Sequence, residues 1–494
     1  MKISISYPPI NSDKGVPLIA QNRQFQYFKS PTYIYPIVPA YAATLLKQAG
    51  FDVIWDDGIA EEKTYDKWIR DLERRKPDVI MIETKTPVVK KHWSIIGDLK
   101  QVLPSSKIVL VGDHVTALPS ESMMQSKVDF VLTGGDYDFL LLNLIGFMEG
   151  KTKLLEPGIW YRENNEVKNT GKFVLNHDLD SLPFIDRDLT KWWLYSEKNG
   201  NYKRTPGTYT MVGRDCWWRK NGGCTFCSWP TLYPTFRVRK PESLVAELEF
   251  LVEKYGVREV FDDTGSFPVG EWLQRFCKLL IEKKLNEKIY FDVNIRFGAL
   301  GPDEYKLIKK AGFRTLLFGL ESASQPVLDK LNKGVKVEEI VRSCKEAKEA
   351  GLEPHITIMF GYPFESRDEA LETVKLGRQL LKKGYANTVQ ATIVIPYPGS
   401  PLFEEAKMNG WLKTLDWDRY DMRESVMKTT MSDGEIKGMV QEIYKVAFDP
   451  GFLMRKILAI RNVDDAKYVF RAFRKVLGHL KDFTTQANKK NEQL

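Results

Sequence analysis

The stretch RDCWWRKNGGCTFCSWP, residues 214 to 230, decides the fold of this chain of 494 residues. It contains three of the five cysteines, Cys216, Cys224 and Cys227, in the spacing C-x7-C-x2-C. Thiolates at this density hold zinc or an iron–sulfur cluster. A structural zinc site needs a fourth Cys or His, which this chain would have to borrow from a distant segment. A cluster on three protein thiolates leaves one iron open to a substrate or cofactor, so we predict a cluster.

Downstream of this stretch, predicted strands and helices alternate in about six βα units. The helical pattern PESLVAELEFLVEKYG and the strand IYFDVNIR are examples, and residues 206–411 contain the whole series. Repeated βα units build a partial or complete barrel, in which the chemistry lies at the carboxyl ends of the strands. Cys277 and Cys344 fall on the apolar faces of predicted helices, so we assign them to the core.

The first 145 residues also alternate strands with helices. The predicted strands are KISISYPP, FDVIWDD, DVIMIET, KIVLVGDH and DFVLTGGD. This pattern indicates a parallel sheet covered by helices on both faces, and ligands bind such sheets beyond the carboxyl ends of the strands. The strand ends here are polar and rich in glycine. The residues that we assign to a ligand at this rim are Pro9, Thr84, Thr86, Gly112, His114, Gly134 and Gly135.

Two further segments complete the domain prediction. Residues 146–205 contain a predicted hairpin, GIWYRENNEVKNTGKFV, and an extended connector, DLDSLPFIDRDL. Residues 412–494 are helical and basic and end in a polar tail. The expected fold is therefore α/β, with a Rossmann-like domain over 1–145, the connector with its hairpin, a partial βα barrel over 206–411 and a helical carboxyl-terminal region.

Composition places the chain among globular proteins, with 43% hydrophobic and 28% charged residues. It contains no run of about 18 apolar residues for a transmembrane helix, and its amino terminus lacks the apolar segment of a secretory signal. The cysteines are sparse and odd in number, which argues against a disulfide framework and favours the reducing cytoplasm. Lys and Arg are spread among acidic residues, so the net charge of +8 does not predict nucleic acid as a partner.

Together, these motifs resemble the radical S-adenosylmethionine superfamily, and in particular its cobalamin-binding branch. VFDDTGSF, FGLESAS and MFGYPFES are similar to family segments that follow barrel strands, and PYPGSPLFEEAKMNGWL is similar to the end of the barrel in that branch. TFCSWP, FRVRKPESL and LDSLPFIDRDL resemble the subgroup that contains the hopanoid-associated enzymes and the anaerobic ring cyclase of chlorophyll synthesis. The resemblance covers about residues 1–450. One departure is the first cysteine gap, which holds seven residues instead of the family's three.

The resemblance implies a [4Fe–4S] cluster on the three cysteines, whose open iron chelates the amino and carboxyl groups of S-adenosylmethionine. It also implies contacts to S-adenosylmethionine or substrate from polar residues at the ends of barrel strands. These residues are Asp262, Asp263, Asn294, Arg296, Glu321 and Ser322. A helix cap and a salt bridge are the alternative roles of Asp262 and Asp263. Tyr362 and Tyr397 are candidate catalytic residues that either face the cavity or pack in the core.

The first domain resembles the cobalamin-binding module of the same branch. That module often carries Asp-x-His-x-x-Gly, whose His replaces the lower ligand of cobalt, whereas this chain has Asp56, Asp57 and Gly58 after the second strand. We therefore expect cobalamin without a His ligand from that motif. His114, on another loop, is a candidate for ligation, for a hydrogen bond to the corrin rim or for a structural role. A Rossmann-like domain that binds no cobalamin is the alternative.

The leading functional hypothesis is a cobalamin-dependent radical methyltransferase. It would form a 5′-deoxyadenosyl radical from S-adenosylmethionine and methylate an unactivated carbon of a lipid or natural product. A radical cyclase or carbon–carbon bond-forming enzyme, with or without cobalamin, is the alternative, and a non-catalytic zinc or nucleic-acid module is a third. We expect a small-molecule or lipid substrate, an external electron donor such as flavodoxin or ferredoxin, and a cytoplasmic location.

The segment DDAKYVFRAFRKVLGHLKDF, residues 464–483, predicts an amphipathic helix. Its apolar residues at helical spacing are Val469, Phe470, Phe473, Val476, Leu477 and Leu480, and its basic residues are Lys467, Arg471, Arg474, Lys475 and Lys481. Such a helix either lies on an anionic membrane surface, which would suit a lipid substrate, or packs against the barrel.

Overall fold

The computed structural model describes residues 1–19, 25–29, 31–164, 166–199 and 201–484. Two parallel sheets follow one another along the chain, and helices cover both. The α/β architecture that the alternating pattern predicts is confirmed. A hydrophobic core runs without a break from the first sheet to the second. Within these described ranges, the helices are too short or too polar to cross a membrane.

Alternating strands and helices build the amino-terminal domain. Its strands are β1 (Lys2–Tyr7), β2 (Val16–Pro17), β3 (Tyr27–Phe28), β4 (Asp52–Asp57), β5 (Val79–Glu83), β6 (Lys107–Val111), β7 (Phe130–Leu132), β8 (Ile159–Glu163) and β9 (Glu166–Asn169). Its helices are α1 (Ile37–Gln48), α2 (Tyr65–Arg75), α3 (Val89–Val102), α4 (Asp113–Ala117), α5 (Pro119–Gln125) and α6 (Tyr137–Met148). The sheet order is β4-β1-β5-β6-β7-β8-β9, with the first five strands parallel. The predicted hairpin is β8 and β9, and it extends this sheet by antiparallel pairing.

The topology of this sheet creates a crevice for a ligand. Strand β4 lies on one side of β1 and strand β5 on the other, so the direction of strand order reverses between β1 and β5. Ligands of open α/β sheets bind beyond the carboxyl ends of the strands at such a switch point. Five of the six residues of β1 and all five of β5 are buried, as expected for central strands covered on both faces.

A second parallel sheet forms the barrel. The strands of this region are β10 (Gly207–Thr210), β11 (Gly213–Arg214), β12 (Arg237–Val238), β13 (Glu259–Asp262), β14 (Tyr290–Ile295), β15 (Phe313–Glu321), β16 (Glu353–Phe360) and β17 (Thr388–Ile393). The helices are α7 (Trp193–Ser196), α8 (Trp229–Leu232), α9 (Pro241–Tyr255), α10 (Glu271–Glu282), α11 (Pro302–Lys310), α12 (Gln325–Lys330), α13 (Val337–Glu349), α14 (Arg367–Lys382) and α15 (Pro401–Met408). Six strands pair in the order β10-β13-β14-β15-β16-β17. Among the described residues β10 and β17 have no outer partner, so the barrel is partial and open on one side.

Alternate side chains of the barrel strands point inward. This period of two is the geometry of a pleated strand, and it lets every barrel strand contribute to one internal cavity. The inward residues of β15 are Thr315, Leu317, Gly319 and Glu321.

Up to residue 484, three α-helices follow the barrel, α16 (Asp433–Tyr444), α17 (Pro450–Leu458) and α18 (Val463–Thr484). Helix α16 packs on β17, and α18 packs on α16. Helix α18 is also tied to the chain that leads into β10, because Arg471 donates to the carbonyl oxygen of Tyr202 at 2.8 Å and Arg204 donates to Asp465 at 2.9 Å. Its first turns therefore lie at the amino ends of the barrel strands, and Tyr468 lines the cavity from there.

Candidate active site

The cysteine loop follows strand β11 directly. Asp215 has a left-handed backbone conformation, φ 76°, which turns the chain from β11 into Cys216. The seven residues between Cys216 and Cys224 contain a 3-10 turn, Trp217–Asn221, and then Gly222 and Gly223, both with positive φ. The long first gap is therefore accommodated as an ordered turn.

Asn332 holds this turn from the opposite side of the site. Its side-chain amide donates to the carbonyl oxygens of Asn221 at 2.8 Å and Gly223 at 2.7 Å. Its own carbonyl oxygen accepts from the indole of Trp218 at 2.8 Å. Three hydrogen bonds thus fix the cysteine loop against the segment that follows α12, and nothing in the cysteine motif itself points to Asn332.

All three thiols line one cavity at the carboxyl end of the barrel, and each is half-buried. Arg296 Nη1 lies 3.5 Å from Cys224 Sγ. Arg219, which forms an ion pair with Asp215 at 2.7 Å, lines the same cavity. Two cationic side chains thus lie on the same cavity wall as the thiols. The loop therefore offers the donor set that a cluster needs.

The geometry of the thiols also bears on the kind of metal site. In the described part of the chain, no three or more His, Cys, Asp and Glu side chains converge as the ligands of a single metal ion. A cluster makes no such demand, because each thiolate binds a different iron. Cys277 and Cys344 are buried in α10 and α13, as predicted for core residues.

Glu321 and Lys333 form a buried ion pair on the cavity wall. Glu321 ends β15 with φ 61°, at a shift in its register with β16. Its Oε1 lies 2.7 Å from Lys333 Nζ, and both side chains line the cavity. The carbonyl oxygen of Lys333 accepts a hydrogen bond from Arg296. Sequence reasoning found Glu321 and Arg296 but missed Lys333, which joins them.

Three other polar predictions concern the ends of neighbouring strands. Asp263, Asn294 and Arg296 line the cavity. The side-chain amide of Asn294 donates to the carbonyl oxygen of Thr264 at 3.0 Å. The guanidinium of Arg296 stacks over the ring of Trp218, 4.3 Å from its centroid. These residues form one polar wall beside the thiols.

Asp262 and Ser322 lie outside the cavity lining. The buried carboxylate of Asp262 accepts from the hydroxyl of Thr210 and from the backbone N–H of Val212, both at 2.9 Å. It therefore joins the ends of β10 and β13, and burial raises its pKa. The hydroxyl of Ser322 lies 3.2 Å from that of Thr373 in α14. Both residues support the strand ends from behind.

The two candidate tyrosines have different surroundings. Tyr362 is fully buried in an apolar cluster, 5.7 Å from the ring of Phe364, and its hydroxyl has no hydrogen-bond partner among the described residues. Burial raises its pKa well above the usual value. Tyr397 lines the cavity, and its hydroxyl donates to the carbonyl oxygen of Tyr420 at 3.1 Å. Only Tyr397 therefore faces the candidate active site.

His114 is fully buried and both of its ring nitrogens have partners. Nδ1 lies 3.1 Å from the hydroxyl of Thr86, and Nε2 lies 3.2 Å from the carboxylate of Glu121. The ring of Trp417 packs edge-on at 5.3 Å. Both ring nitrogens of His114 therefore already have protein partners, which favours a structural role over ligation of cobalt. Thr84, similarly, lies 2.7 Å from Nδ1 of His92.

The glycines of the predicted rim are required by close protein contacts. A Cβ on Gly112 would lie 2.2 Å from the carbonyl oxygen of Thr84. A Cβ on Gly135 would lie 1.8 Å from the ring of Tyr233, and one on Gly134 would lie 2.5 Å from the ring of Phe173. Pro9 similarly fills the space beside Gly58. Other protein atoms therefore lie directly against these glycines.

The switch-point crevice contains a hydrogen-bonded carboxyl group. Tyr7, at the end of β1, donates to Glu83, at the end of β5, and Tyr137 of α6 donates to the other carboxyl oxygen of Glu83 at 3.1 Å. All three side chains are buried. Burial raises the pKa of Glu83 to about 7. Sequence reasoning missed this cluster, although Tyr7 and Glu83 stand at the two strand ends that the topology makes adjacent.

A buried ionic network joins the two domains next to the cysteine loop. Arg214, two residues before Cys216, lies 2.6 Å from Asp136 and also pairs with Asp138, and Arg237 lies 2.9 Å from Asp136. Nδ1 of His177 lies 3.0 Å from Asp136. Burial acts to raise the pKa of Asp136, but the guanidinium of Arg214 and the other partners outweigh it and hold that pKa well below its usual range.

The junction between the domains near Tyr397 contains charged side chains of both signs. Lys85 and Asp113, which follow β5 and β6, lie 3.6 Å apart. Burial, and then the negative charge of Asp113, raise the pKa of Tyr397 well above its usual value, so these side chains are neighbours. Charged groups of both signs can hydrogen-bond the amide arms of a corrin ring. Lys85 and Asp113 therefore offer hydrogen-bonding groups to a corrinoid, whereas the switch point contains the buried cluster of Tyr7, Glu83 and Tyr137.

Comparisons with known proteins agree with these two regions. Residues 28–139 match the family model of the B12 binding domain, and residues 212–377 match that of the Radical SAM superfamily. An uncharacterized methyltransferase of Pyrococcus horikoshii is 26% identical over 427 residues, 86% of this chain and 89% of the relative. The anaerobic magnesium-protoporphyrin IX monomethyl ester cyclase of Cereibacter sphaeroides is 25% identical over 435 residues, 86% of this chain and 68% of the relative.

A solved structure shares the fold. The radical S-adenosylmethionine methyltransferase TsrM from Kitasatospora setae, solved with cobalamin and a [4Fe–4S] cluster bound, has a TM-score of 0.66 at 15% identity. The match covers 90% of this chain and 88% of TsrM. Both sheets and their order along the chain are therefore a known arrangement.

Proposed function

Because this chain joins a B12-binding domain to a radical S-adenosylmethionine domain, we propose that it is a cobalamin-dependent radical methyltransferase acting on an unactivated carbon. The observation that carries the proposal is the cysteine loop, whose three thiols line one cavity beside cationic and polar groups. The methyltransferase of Pyrococcus horikoshii and the fold shared with TsrM support methyl transfer as the outcome.

Cys216, Cys224 and Cys227 would hold a [4Fe–4S] cluster, which supplies the electron for reductive cleavage of S-adenosylmethionine. Side chains of this chain hold the cysteine loop in position and place positive charge beside the thiols. Asn332 fixes the turn, and Arg296 lies against Cys224 Sγ at 3.5 Å. An external protein donor, such as a flavodoxin or ferredoxin, would reduce the cluster.

The wall beside the thiols would bind S-adenosylmethionine. Its carboxylate is an anion and its ammonium group is a cation, and the wall offers both complements. Arg296 and Lys333 supply positive charge, while Asp263, Asn294 and Glu321 supply oxygen acceptors. The buried pair of Glu321 and Lys333 can exchange partners with a ligand that carries both charges. We assign these residues to S-adenosylmethionine and the inner residues of the barrel to substrate.

The junction beside Tyr397 would hold cobalamin, which carries the methyl group. Lys85 and Asp113 would contact the corrin rim from the first domain, and Tyr397 and Met422 from the barrel side. We assign no His ligand to cobalt, because both ring nitrogens of His114 are occupied. This arrangement puts the carrier at the same cavity as the thiols.

A second outcome is cyclisation or carbon–carbon coupling by the same radical chemistry. The similarity to the magnesium-protoporphyrin cyclase over 86% of this chain favours this candidate. Both outcomes need a small-molecule or lipid substrate and the same cluster. They differ in whether S-adenosylhomocysteine accumulates, since only methyl transfer consumes a second S-adenosylmethionine.

The test is anaerobic reconstitution with iron and sulfide, followed by reductant, S-adenosylmethionine and hydroxocobalamin. We expect both 5′-deoxyadenosine and S-adenosylhomocysteine, with the second product dependent on cobalamin. Cys224→Ser abolishes both, whereas Cys344→Ala, a buried cysteine remote from the loop, retains both. Formation of 5′-deoxyadenosine without S-adenosylhomocysteine would instead indicate the cyclase or coupling reaction. Neither product, with one equivalent of bound zinc, would refute the proposal.

A further inference from the structure

Exposed apolar side chains concentrate in α17 and the start of α18. Seven of the nineteen exposed large apolar residues in the described ranges lie within residues 448–473. They are Phe448, Met454, Ile457, Leu458, Val463, Phe470 and Phe473. Ile457 and Leu458 are 60% and 65% exposed. A soluble surface seldom collects this many apolar residues on one short segment unless the segment binds something. We call this group the carboxyl-terminal patch.

The patch is exposed because each helix is anchored by its other side. In α18, Asp465 and Tyr468 face the barrel, since Asp465 accepts from Arg204 at 2.9 Å and Tyr468 lies against Arg314, whose guanidinium is 5.6 Å from the ring centroid. Phe470 and Phe473 project from the opposite side of the same turns. Helix α17 buries none of its nine residues. The apolar groups therefore point away from the barrel, where the guanidinium of Arg474 lies 6.0 Å from the ring centroid of Phe470.

The sequence predicts a different apolar face for this helix. Of the predicted apolar residues, Val469 and Val476 are half-buried, and only Phe470 and Phe473 are exposed. Arg471, predicted on a basic face, instead bonds Tyr202. The side chains of Lys475, Leu477, Leu480 and Lys481 lie outside the described residues. The exposed apolar surface is therefore centred on α17, whereas the sequence predicts it along the middle of α18.

Positive charge surrounds the patch. Arg455, Arg461, Lys467 and Arg474 are exposed at its edge. The acidic residues nearby are already paired, since Asp464 lies 3.1 Å from Arg258 and Asp465 lies 2.9 Å from Arg204. An apolar centre with a cationic edge is the pattern of a helix that lies in the interface of an anionic bilayer.

We propose that the carboxyl-terminal patch docks the protein on an anionic lipid membrane. A second copy of the chain fits less well, because a twofold interface would bring the same cations against each other. Methionine, isoleucine and leucine would enter the boundary between head groups and acyl chains, and the arginines and lysine would meet lipid phosphates. The inference does not depend on the methyltransferase assignment.

Docking there leaves the active-site rim accessible. Lys456 of α17 donates to the carbonyl oxygen of Asn387, just before β17, and α18 begins beside Arg204, just before β10. The patch therefore lies at the amino ends of the barrel strands. The thiols lie at the opposite, carboxyl ends. A soluble electron donor can approach the cluster loop while the protein is bound to lipid.

The test is vesicle flotation of the full chain. We expect binding to phosphatidylcholine vesicles that contain about 30% phosphatidylglycerol, and at least about tenfold less binding to pure phosphatidylcholine or at about 0.5 M salt. The variant Ile457→Glu/Leu458→Glu loses binding by about tenfold or more. The matched control, Met124→Glu/Leu154→Glu, changes two residues that are 70% and 78% exposed elsewhere and retains binding.

Three results would overturn the proposal. The first is absence of binding to the anionic vesicles. The second is equal loss in the patch variant and the matched control. The third is a dimer, measured by light scattering, that only Ile457→Glu/Leu458→Glu dissociates, because a second copy would then cover the patch. Circular dichroism of each variant shows that it is folded before flotation.

Discussion

The guanidinium of Arg214 lies 2.6 Å from the carboxylate of Asp136, and this buried ion pair crosses from the barrel to the amino-terminal domain. Arg214 also pairs with Asp138 and precedes Cys216 by two residues. The cysteine loop is therefore anchored to the domain that matches the B12-binding family. A substitution of Arg214 or Asp136 should therefore change both the free energy of unfolding and the position of the cysteine loop.

Arg214→Met should be strongly destabilising. It would leave the buried carboxylates of Asp136 and Asp138 without this cation, which costs about 3–5 kcal/mol in the free energy of unfolding. Arg275→Met, which removes a solvent-exposed pair with Glu242, should cost less than about 1 kcal/mol. Urea unfolding of both variants checks this. Similar losses in the two would contradict the role of the buried network.

His177 should make stability fall in mild alkali. Burial acts to lower its pKa, but Asp136 and Glu156 outweigh burial and raise that pKa from 6.5 to about 9. A cation with a raised pKa in the folded state stabilises fully below pH 6.5, and this contribution is lost as the pH rises through about 9. We expect a loss of about 1 kcal/mol, reduced by partial exposure to solvent.

The measurement for His177 is the free energy of unfolding of the protein and of His177→Asn between pH 6 and pH 9.5. Other groups titrate in this window, so the difference between the two proteins is the informative quantity. The difference should shrink as the pH rises. A difference independent of pH would show that the imidazole does not carry the charge.

Glu83 is an acid, whereas His177 is a base, but its contribution to the free energy of unfolding should also fall as the pH rises. Burial raises the pKa of this carboxyl from 4.5 to about 7, so the folded state favours its protonated form. The contribution to stability is full below pH 4.5 and is lost as the pH rises through about 7. Glu83→Gln, which resembles the protonated group, should be more stable than the parent by about 3 kcal/mol at pH 8 and by about 1 kcal/mol or less at pH 5. Thermal unfolding at both pH values decides it.

The filled crevice bears on which corrinoids bind. Tyr7, Glu83 and Tyr137 form a buried cluster at the switch point, so we expect the nucleotide arm of cobalamin to find no room there. Cobinamide, which lacks that arm, should bind with a dissociation constant within about threefold of that of cobalamin, a difference under about 0.7 kcal/mol. Quenching of tryptophan fluorescence measures both. Binding of cobinamide weaker by more than about tenfold would show that the crevice opens for the arm.

The fold could be predicted well because its signals are local. The strand–helix alternation and the cysteine spacing both lie within short windows of sequence. Asp262 was harder, since its carboxylate points away from the cavity. The signal was nevertheless present: inward side chains alternate, and Phe261 and Asp263 face the cavity, so Asp262 between them faces outward.

The parts that could not be predicted depend on residues far apart in the chain. Lys333 reaches Glu321 across a helix and a turn, and Tyr468 reaches the cavity from the last helix. The pair of Arg214 and Asp136 joins two domains. No periodicity or spacing reports such contacts, because they arise only when the sheets pack together. His114 shows the same limit, since only the packed structure reveals that Thr86 and Glu121 lie against its two ring nitrogens.

The most direct test of the account is the electron paramagnetic resonance spectrum of the reduced, reconstituted protein before and after addition of S-adenosylmethionine. The account predicts a cluster signal in the parent protein, a change in that signal when S-adenosylmethionine binds the open iron, and no such cluster in Cys224→Ser. A cluster signal that S-adenosylmethionine leaves unchanged, or a protein that retains only zinc, would contradict it.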